Sequence, residues 1–329
     1  MTEIPVKVIK YSAETLAPIL KDIFNHCIKT GDIPPDLKCA IAFPLFKKGD
    51  RSLCDNYRGI SVLSPFAKIL ERLLSKQITD YFDANQIFSR AQHGFRKNHS
   101  CETALHTILD KWKIALEKNE KVLALFIDFK KAFDLVRPEL LLRKLFHYGF
   151  ENGALNVMKS YFHDREMTVK VADKYSPKLS INNGVPQGSI LGPLLFIIFI
   201  NDIAMDTQLM TILFADDTTL WDTGADLERV ISNFSKKFSQ ILEWINFNKL
   251  YINWSKTKLM VITKARRSKL SIPVHLEIDG NRVEVVNEFK LLGCTIDDDL
   301  TFAKHVNVLR KTVNRKLFAI KNIFFCPKK

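Results

Sequence analysis

Leu213-Phe214-Ala215-Asp216-Asp217 places two adjacent carboxylates at the end of an apolar run, Met210 to Ala215. Thr218-Thr219-Leu220-Trp221 follows at once. The segment therefore predicts a strand, a tight turn carrying both acids, and a second strand. Adjacent like charges repel unless a cation lies between them, and folding alone does not call for that arrangement. Hard divalent ions such as Mg²⁺ take oxygen ligands of this kind. Two such ions, about 3.5–4 Å apart, can stabilise both the attacking and the leaving oxygen of a phosphoryl transfer. The plainer alternative is an Asp-rich surface turn, because Asp is a common turn former.

A two-ion site needs a further carboxylate on a neighbouring rigid element. Val122-Leu123-Ala124-Leu125-Phe126-Ile127 is a continuous apolar run that ends in Asp128. Such a run suits a buried central strand, with Asp128 emerging where the strand leaves the core. Asp128 could equally cap a helix opened by Lys130, Lys131 and Ala132, and the two roles are compatible.

Three segments carry a resemblance. Phe126-Ile127-Asp128-Phe129-Lys130-Lys131-Ala132-Phe133-Asp134 is similar to the first palm motif of reverse transcriptases, Gly184-Val185-Pro186-Gln187-Gly188-Ser189-Ile190-Leu191-Gly192-Pro193 to the second, and Phe214-Ala215-Asp216-Asp217 to the third. They stand in family order. Pro44 to Asp50, Asn56 to Ser61, Gln92 to Lys97, Ser255 to Lys258 and Leu291 to Gly293 extend the match, which runs from about Pro34 to about His305. The chain most resembles the reverse transcriptases of non-LTR retrotransposons of the LINE or jockey-like sort.

That resemblance implies an α+β right-hand polymerase of fingers, palm and partial thumb with an antiparallel palm sheet. The implied segments are an N-terminal helical extension at 1–33, fingers at 34–120, a palm at 121–284 with insertions that contribute to the fingers, and a primer grip with partial thumb at 285–329. It implies RNA-directed DNA synthesis with two Mg²⁺ ions, or Mn²⁺ in their place. An RNA template, a DNA primer and dNTPs are the implied partners. Asp128, Asp216 and Asp217 would be metal ligands and catalytic residues, and Lys256 would protonate the leaving pyrophosphate. Phe129, Phe133, Gln187, Gly188, Lys47 and Arg58 would bind the nucleotide, with Phe133 blocking a 2′-hydroxyl. Arg96, Leu292 and Gly293 would touch template or primer. Three departures stand out: Gly59 where the family has Pro, Phe214 where Tyr is usual, and Trp254 just before Ser255-Lys256-Thr257. The thumb is expected to end early and no endonuclease is expected before the motifs, which would fit a fragment, a degenerate copy or a reused core. An inactive nucleic-acid-binding remnant and an RNA polymerase with a similar palm are the rival readings.

A net charge of +13 favours polyanions, nucleic acid first. The charge concentrates at the C-terminal end, where Thr301 to Lys329 holds Lys304, Arg310, Lys311, Arg315, Lys316, Lys321, Lys328 and Lys329 and no acid. Val306, Leu309, Val313, Leu317 and Ile320 recur there at helical spacing. This predicts an apolar stripe packed on the body, with Arg310, Lys311 and Arg315 facing a phosphate backbone. Cys27, Cys39, Cys54, Cys101, Cys294 and Cys326 lack zinc-ligand spacing, and no secretory signal precedes them. The expectation is reduced thiols in an intracellular protein of the nucleus or cytoplasm, not a secreted one. Leu191 to Ile200 is too short to span a membrane and predicts a buried helix.

Elsewhere, Leu16, Ile19, Leu20, Ile23, Phe24 and Cys27 make a helical stripe ended by Gly31, Pro34 and Pro35. Cys39 to Phe46 and Tyr57 to Leu63 predict two strands around a loop with Lys47, Lys48, Arg51 and Arg58 close by. Pro65 to Asp83 predicts a helix with Phe66, Ile69, Leu70, Leu73, Leu74 and Ile78 inward, and Ser100 to Lys118 another. Helices are expected at 138–148, 153–162 and 226–246. Strands are expected at 167–172, 178–184 and 258–263, and a single hairpin at 274–292 around Asp279-Gly280-Asn281.

Overall fold

The computed structural model of this chain describes residues 4–205, 207–264, 273–278 and 280–324. Asp279 of the expected turn, Cys326, Lys328 and Lys329 lie outside the described residues. The chain begins with α1 (Val6–Tyr11), α2 (Ala13–Thr30), β1 (Cys39–Phe46), β2 (Tyr57–Leu63), α3 (Pro65–Ala84), α4 (Cys101–Glu117) and β3 (Lys121–Ile127). Next come α5 (Ala132–Leu135), α6 (Pro138–His147), α7 (Asn152–Phe162), β4 (Arg165–Val171), β5 (Lys174–Tyr175), β6 (Leu179–Ile181) and α8 (Leu191–Ile200). After them run β7 (Met210–Phe214), β8 (Asp217–Gly224), α9 (Leu227–Phe247), β9 (Lys258–Ile262), β10 (His275–Ile278), β11 (Asn281–Val285), β12 (Glu288–Leu291), β13 (Cys294–Asp297) and α10 (Ala303–Phe324).

Two compact units result, each discontinuous in sequence. One comprises Met1–Phe95, Lys130–Met205 and Glu243–Tyr251, the other Arg96–Phe129, Asp206–Leu242 and Ile252–Lys329.

In the first unit a sheet runs β2-β1-β4-β5, with β6 also on β4. β1 is antiparallel to β2 and parallel to β4. Helices α3 and α6 pack on α8, and α2 packs on α7 beside α6. α8 is apolar on every side and nearly all of it is buried, as its sequence requires. A buried helix must still satisfy its ends. Glu71 of α3 accepts from the Ile190 N–H at the α8 N-terminus at 2.7 Å. Lys144 of α6 donates to the Phe199 carbonyl near the other end at 2.7 Å and pairs with Asp202 at 2.7 Å. An anion at the start and a cation at the finish both oppose the helix dipole. These two charges explain why α3 and α6 bury an acid and a lysine on otherwise apolar faces.

α3 itself corrects the sequence reading. Ile69 and Leu73 are exposed, while Ala67, Leu70, Glu71, Leu74, Ile78 and Phe82 face inward. The stripe is rotated because Glu71 must reach α8, which no apolar period announces.

The second unit is built on a sheet of order β10-β11-β9-β3-β8-β7. Its pairs are antiparallel except β11 with β9, which is parallel. β3 is central, and six of its seven residues are buried, which accounts for its uninterrupted apolar run. α4 lies against β3 and β7. Ser100 and Thr103 close a capping box at its start, and Ala104, Ile108, Trp112 and Ala115 form its buried stripe. Trp112 meets Phe126 and Trp221 edge to face at 6.4 and 6.3 Å. Phe289 stacks on Phe126 at 4.0 Å. The expected single hairpin at 274–292 is corrected to two: β10–β11 joins the large sheet, and β12–β13 forms its own around Leu292-Gly293. The stripe on α10 is also corrected. Val306, Leu309, Val313, Leu317 and Ile320 are each about half or more exposed, so α10 touches the unit mainly at its start, beside β13.

Candidate active site

Asp128, Asp216 and Asp217 all fall in the second unit, and strand register brings them together. β3 pairs with β8 so that Ile127 faces Thr218. Continued by one residue, that register sets Asp128 across from Asp217. β3 pairs with β9 so that Phe126 faces Lys258, and the turn just before β9 carries Lys256 to the end of β3. On the β7–β8 side, Phe214 faces Asp217, leaving Ala215-Asp216 as a two-residue loop. Ala215 has a φ of 57°, the left-handed conformation that tight hairpin loops demand and that Ala adopts only under strain.

The loop holding Lys256 is anchored on the same acid. The Asn253 N–H donates to the Asp128 carbonyl at 2.7 Å, and the Asp128 N–H donates to the buried Thr257 Oγ1 at 3.3 Å. Trp254 sits edge to face on Phe238 at 6.4 Å, so this departure from the family pattern helps pin the loop. Lys256 Nζ lies 3.6 Å from Asp128 Oδ2, and both side chains reach solvent. An exposed pair of this kind is weak.

Charge crowding shows at Asp217. Its side chain reaches solvent, yet desolvation by surrounding protein atoms, and then the charges of Asp216 and Asp128, push its pKa up to about 6. Among the described residues no three acids, histidines or cysteines already converge on a common ligand point. The donor set nevertheless fits a hard divalent cation: three carboxylates, no sulfur or imidazole, and excess negative charge that a cation would relieve.

The first unit contains a different cluster. Arg58, Ile60, Phe133, Pro186, Gln187, Gly188 and Pro193 line a cavity of about 260 Å³. Four of the six residues expected at the nucleotide, Arg58, Phe133, Gln187 and Gly188, thus come together. Phe133 stacks on Phe196 of α8 at 4.2 Å. Gly188 has a φ of 112°, and a Cβ there would lie 2.5 Å from the Ser61 carbonyl oxygen, so only glycine fits. The Ser61 N–H donates to the Gln187 carbonyl at 2.7 Å, which ties the turn to β2. Lys47 is exposed on the β1–β2 loop and does not line the cavity. Phe129 is 6% exposed and bridges to Ile252, so its side chain packs in the interior. Gly59 pairs with Pro44 and has open space around it, so the family's proline is not missed sterically.

Residues 46–296 match the reverse transcriptase (RNA-dependent DNA polymerase) family. The chain belongs to the reverse transcriptase family. It is 29% identical to the probable RNA-directed DNA polymerase from transposon BS of Drosophila melanogaster, over 95% of this chain and 34% of that protein. It is 30% identical to the X-element counterpart and 28% identical to the jockey polymerase of the same fly, over 90% of this chain and 33% of each. The chain spans about a third of the length of the curated relatives it matches. Apo telomerase from Candida tropicalis, truncated from its C-terminal domain, shares the fold with a TM-score of 0.54 at 14% identity, over 82% of this chain and 55% of that one. The fold is the mixed α+β fold of right-hand polymerases, as the motifs implied.

Within this reverse transcriptase fold the remaining expected residues are scattered over the second unit. Arg96 is half-exposed just before α4. Leu292 and Gly293 form the two-residue loop of β12–β13, both with positive φ (48° and 88°). Arg310, Lys311 and Arg315 are exposed on α10. Sequence reasoning missed Asp134, which hydrogen-bonds Gln187. It stands at the end of the first motif run, next to Phe133, and that adjacency was the available signal.

Proposed function

We propose that this chain is the core of an RNA-directed DNA polymerase that joins dNTPs to a primer 3′-hydroxyl on an RNA template. The carrying observation is the register that sets Asp128 across from Asp217 beside Asp216, with Asp217 pushed up to about 6 by its surroundings and by the other two acids. In this reading Asp128 and Asp216 would hold two Mg²⁺ ions, for which Mn²⁺ could substitute, and Asp217 would support them. A cation bound there supplies Lewis-acid activation of the hydroxyl and neutralises charge on the phosphates. Lys256 keeps an ammonium proton near Asp128 and gives it to the departing pyrophosphate. Phe133 closes the cavity against a 2′-hydroxyl, Gln187 and the Gly188 backbone border the sugar and base, and Arg58 with Lys47 meets the triphosphate. Arg96, the Leu292-Gly293 loop and the basic face of α10 hold template and primer in this reading, as fingers, primer grip and partial thumb.

The exposed cationic face of α10 and the net charge of +13 support a nucleic-acid partner. No helix among the described residues is long and apolar enough to cross a membrane. Cys27, Cys39, Cys54, Cys101 and Cys294 are free thiols, which supports an intracellular setting. The test is primer extension on poly(rA)/oligo(dT) with Mg²⁺ and dTTP, beside Asp216→Asn. Extension that disappears in the variant supports the reading. Duplex binding without extension by the unaltered chain would overturn it.

A further inference from the structure

Gln187 is held by both ends of its amide. Arg58 Nε donates to Gln187 Oε1 at 3.0 Å, and Gln187 Nε2 donates to Asp134 Oδ1 at 2.7 Å. A guanidinium can only donate and a carboxylate can only accept, so the amide has one orientation; the flipped one would oppose like groups at both contacts. The backbone around Asp134 is strapped to the same turn. The Val185 N–H donates to the Phe133 carbonyl at 2.9 Å, and the Gly184 N–H donates to the Val136 carbonyl at 2.7 Å. Gly184 sits so close that a Cβ there would lie 2.9 Å from the Asp134 backbone. Asp134 and the Pro186-Gln187-Gly188 turn are therefore tied together through both side chain and backbone.

We propose that Asp134 is a positioning residue for nucleotide selection, holding the Gln187 amide so that one free Nε2–H and one free Oε1 lone pair face the cavity between Phe133 and Gly188. The inference rests on reading that cavity as the dNTP pocket. Asp134 does not touch the nucleotide; it fixes which polar atoms Gln187 presents. Without it the amide can rotate, and Arg58, left with a single exposed hydrogen bond, cannot restore the orientation. Loss of one charge-assisted hydrogen bond of this kind weakens nucleotide binding by about tenfold.

The test compares Asp134→Ala and Asp134→Asn in primer extension, together with the ¹⁵N–¹H resonances of the Gln187 side-chain amide. Asp134→Ala is expected to raise the KM for dTTP by about tenfold with kcat within about twofold and the melting temperature unchanged. Its Gln187 amide signals should move to free-amide positions. Asp134→Asn keeps an acceptor oxygen and should restore most of the KM and the amide shifts. A fall in kcat and melting temperature with KM unchanged would mean a merely structural role and overturn the proposal. So would Gln187 signals that do not move in Asp134→Ala, or signals that move with no change in KM. If the unaltered protein extends no primer, the polymerase reading is what fails, and the amide resonances alone then decide whether Asp134 holds Gln187.

Discussion

Asp217 is crowded by Asp216 and Asp128, and its charge destabilises the metal-free fold. Its folded pKa of about 6 lies above the ordinary carboxylate value of 3.8. The folded state therefore holds more protons than the unfolded state between those values, and the stability tied to this group is lost as pH rises from about 4 through about 6. Asp217→Asn should raise the melting temperature in EDTA at pH 7.5, by an effect that solvent screening limits to about 1 kcal/mol, and the gain should fade near pH 4. Melting curves across that range check it, and no gain at pH 7.5 would remove the charge-crowding argument. Phe133 is the second residue to probe. Its ring is set by the stack on Phe196, so Phe133→Ala should narrow the preference for dNTP over rNTP by roughly tenfold or more while costing about 1–3 kcal/mol of stability. An unchanged ratio of kcat/KM for the two sugars would take the gate role away from it. Asp217 stood out in the sequence as part of a pair of acids ending an apolar run, whereas Phe133 stood out only through the family resemblance. The tie from Gln187 to Asp134 was not legible there, because it spans 53 positions.

Elements account for where the strain sits. The β7–β8 loop gives Ala215 a positive φ, so its tolerance is asymmetric. Ala215→Gly should stay within about 1 kcal/mol of the parent, whereas the β-branched Ala215→Val should cost about 2 kcal/mol or more. Urea denaturation of the two variants measures this, and equal stabilities would contradict the strain. Helices offer a second contrast. The stripe on α10 has the spacing of a packed face but is exposed, so Val313→Gln with Leu317→Gln should change stability by less than about 0.5 kcal/mol. Trp112→Ala on α4 should cost about 3–5 kcal/mol, since Trp112 is fully buried against Phe126 and Trp221. A large loss from the α10 pair would show that the helix packs on the body after all. Periodicity marks both helices as amphipathic and does not distinguish them; only the presence of a partner surface does.

At the scale of the molecule, the charge bears on the proposed nucleic-acid partner. The excess of cations is concentrated on α10, where Arg310, Lys311 and Arg315 are exposed and no acid of the helix opposes them. Each cation removed from a phosphate should lower the slope of log affinity against log salt by about 0.7–0.9. The triple Ala variant should thus lose about two to three units of slope on an RNA–DNA duplex, uniformly across sequences. Titrations at several salt concentrations read it directly, and a preserved slope would remove α10 from the interface.

Local pattern alone determined the strands, most helix boundaries and the acidic turn, because burial on one or both faces writes a period into neighbouring residues. It also carried the family, since Asp128, Gln187 and Asp216 each sit in a contiguous run. What the tertiary structure decided is pairing. The β3–β8 register brings Asp217 beside Asp128, and the turn before β9 brings Lys256 there. Burial of the α8 ends turns Glu71 and Lys144 inward. Among the described residues no packed surface covers the apolar face of α10. Each of these depends on contacts between residues far apart in the chain, and the energy of such contacts leaves no mark on the spacing of either partner.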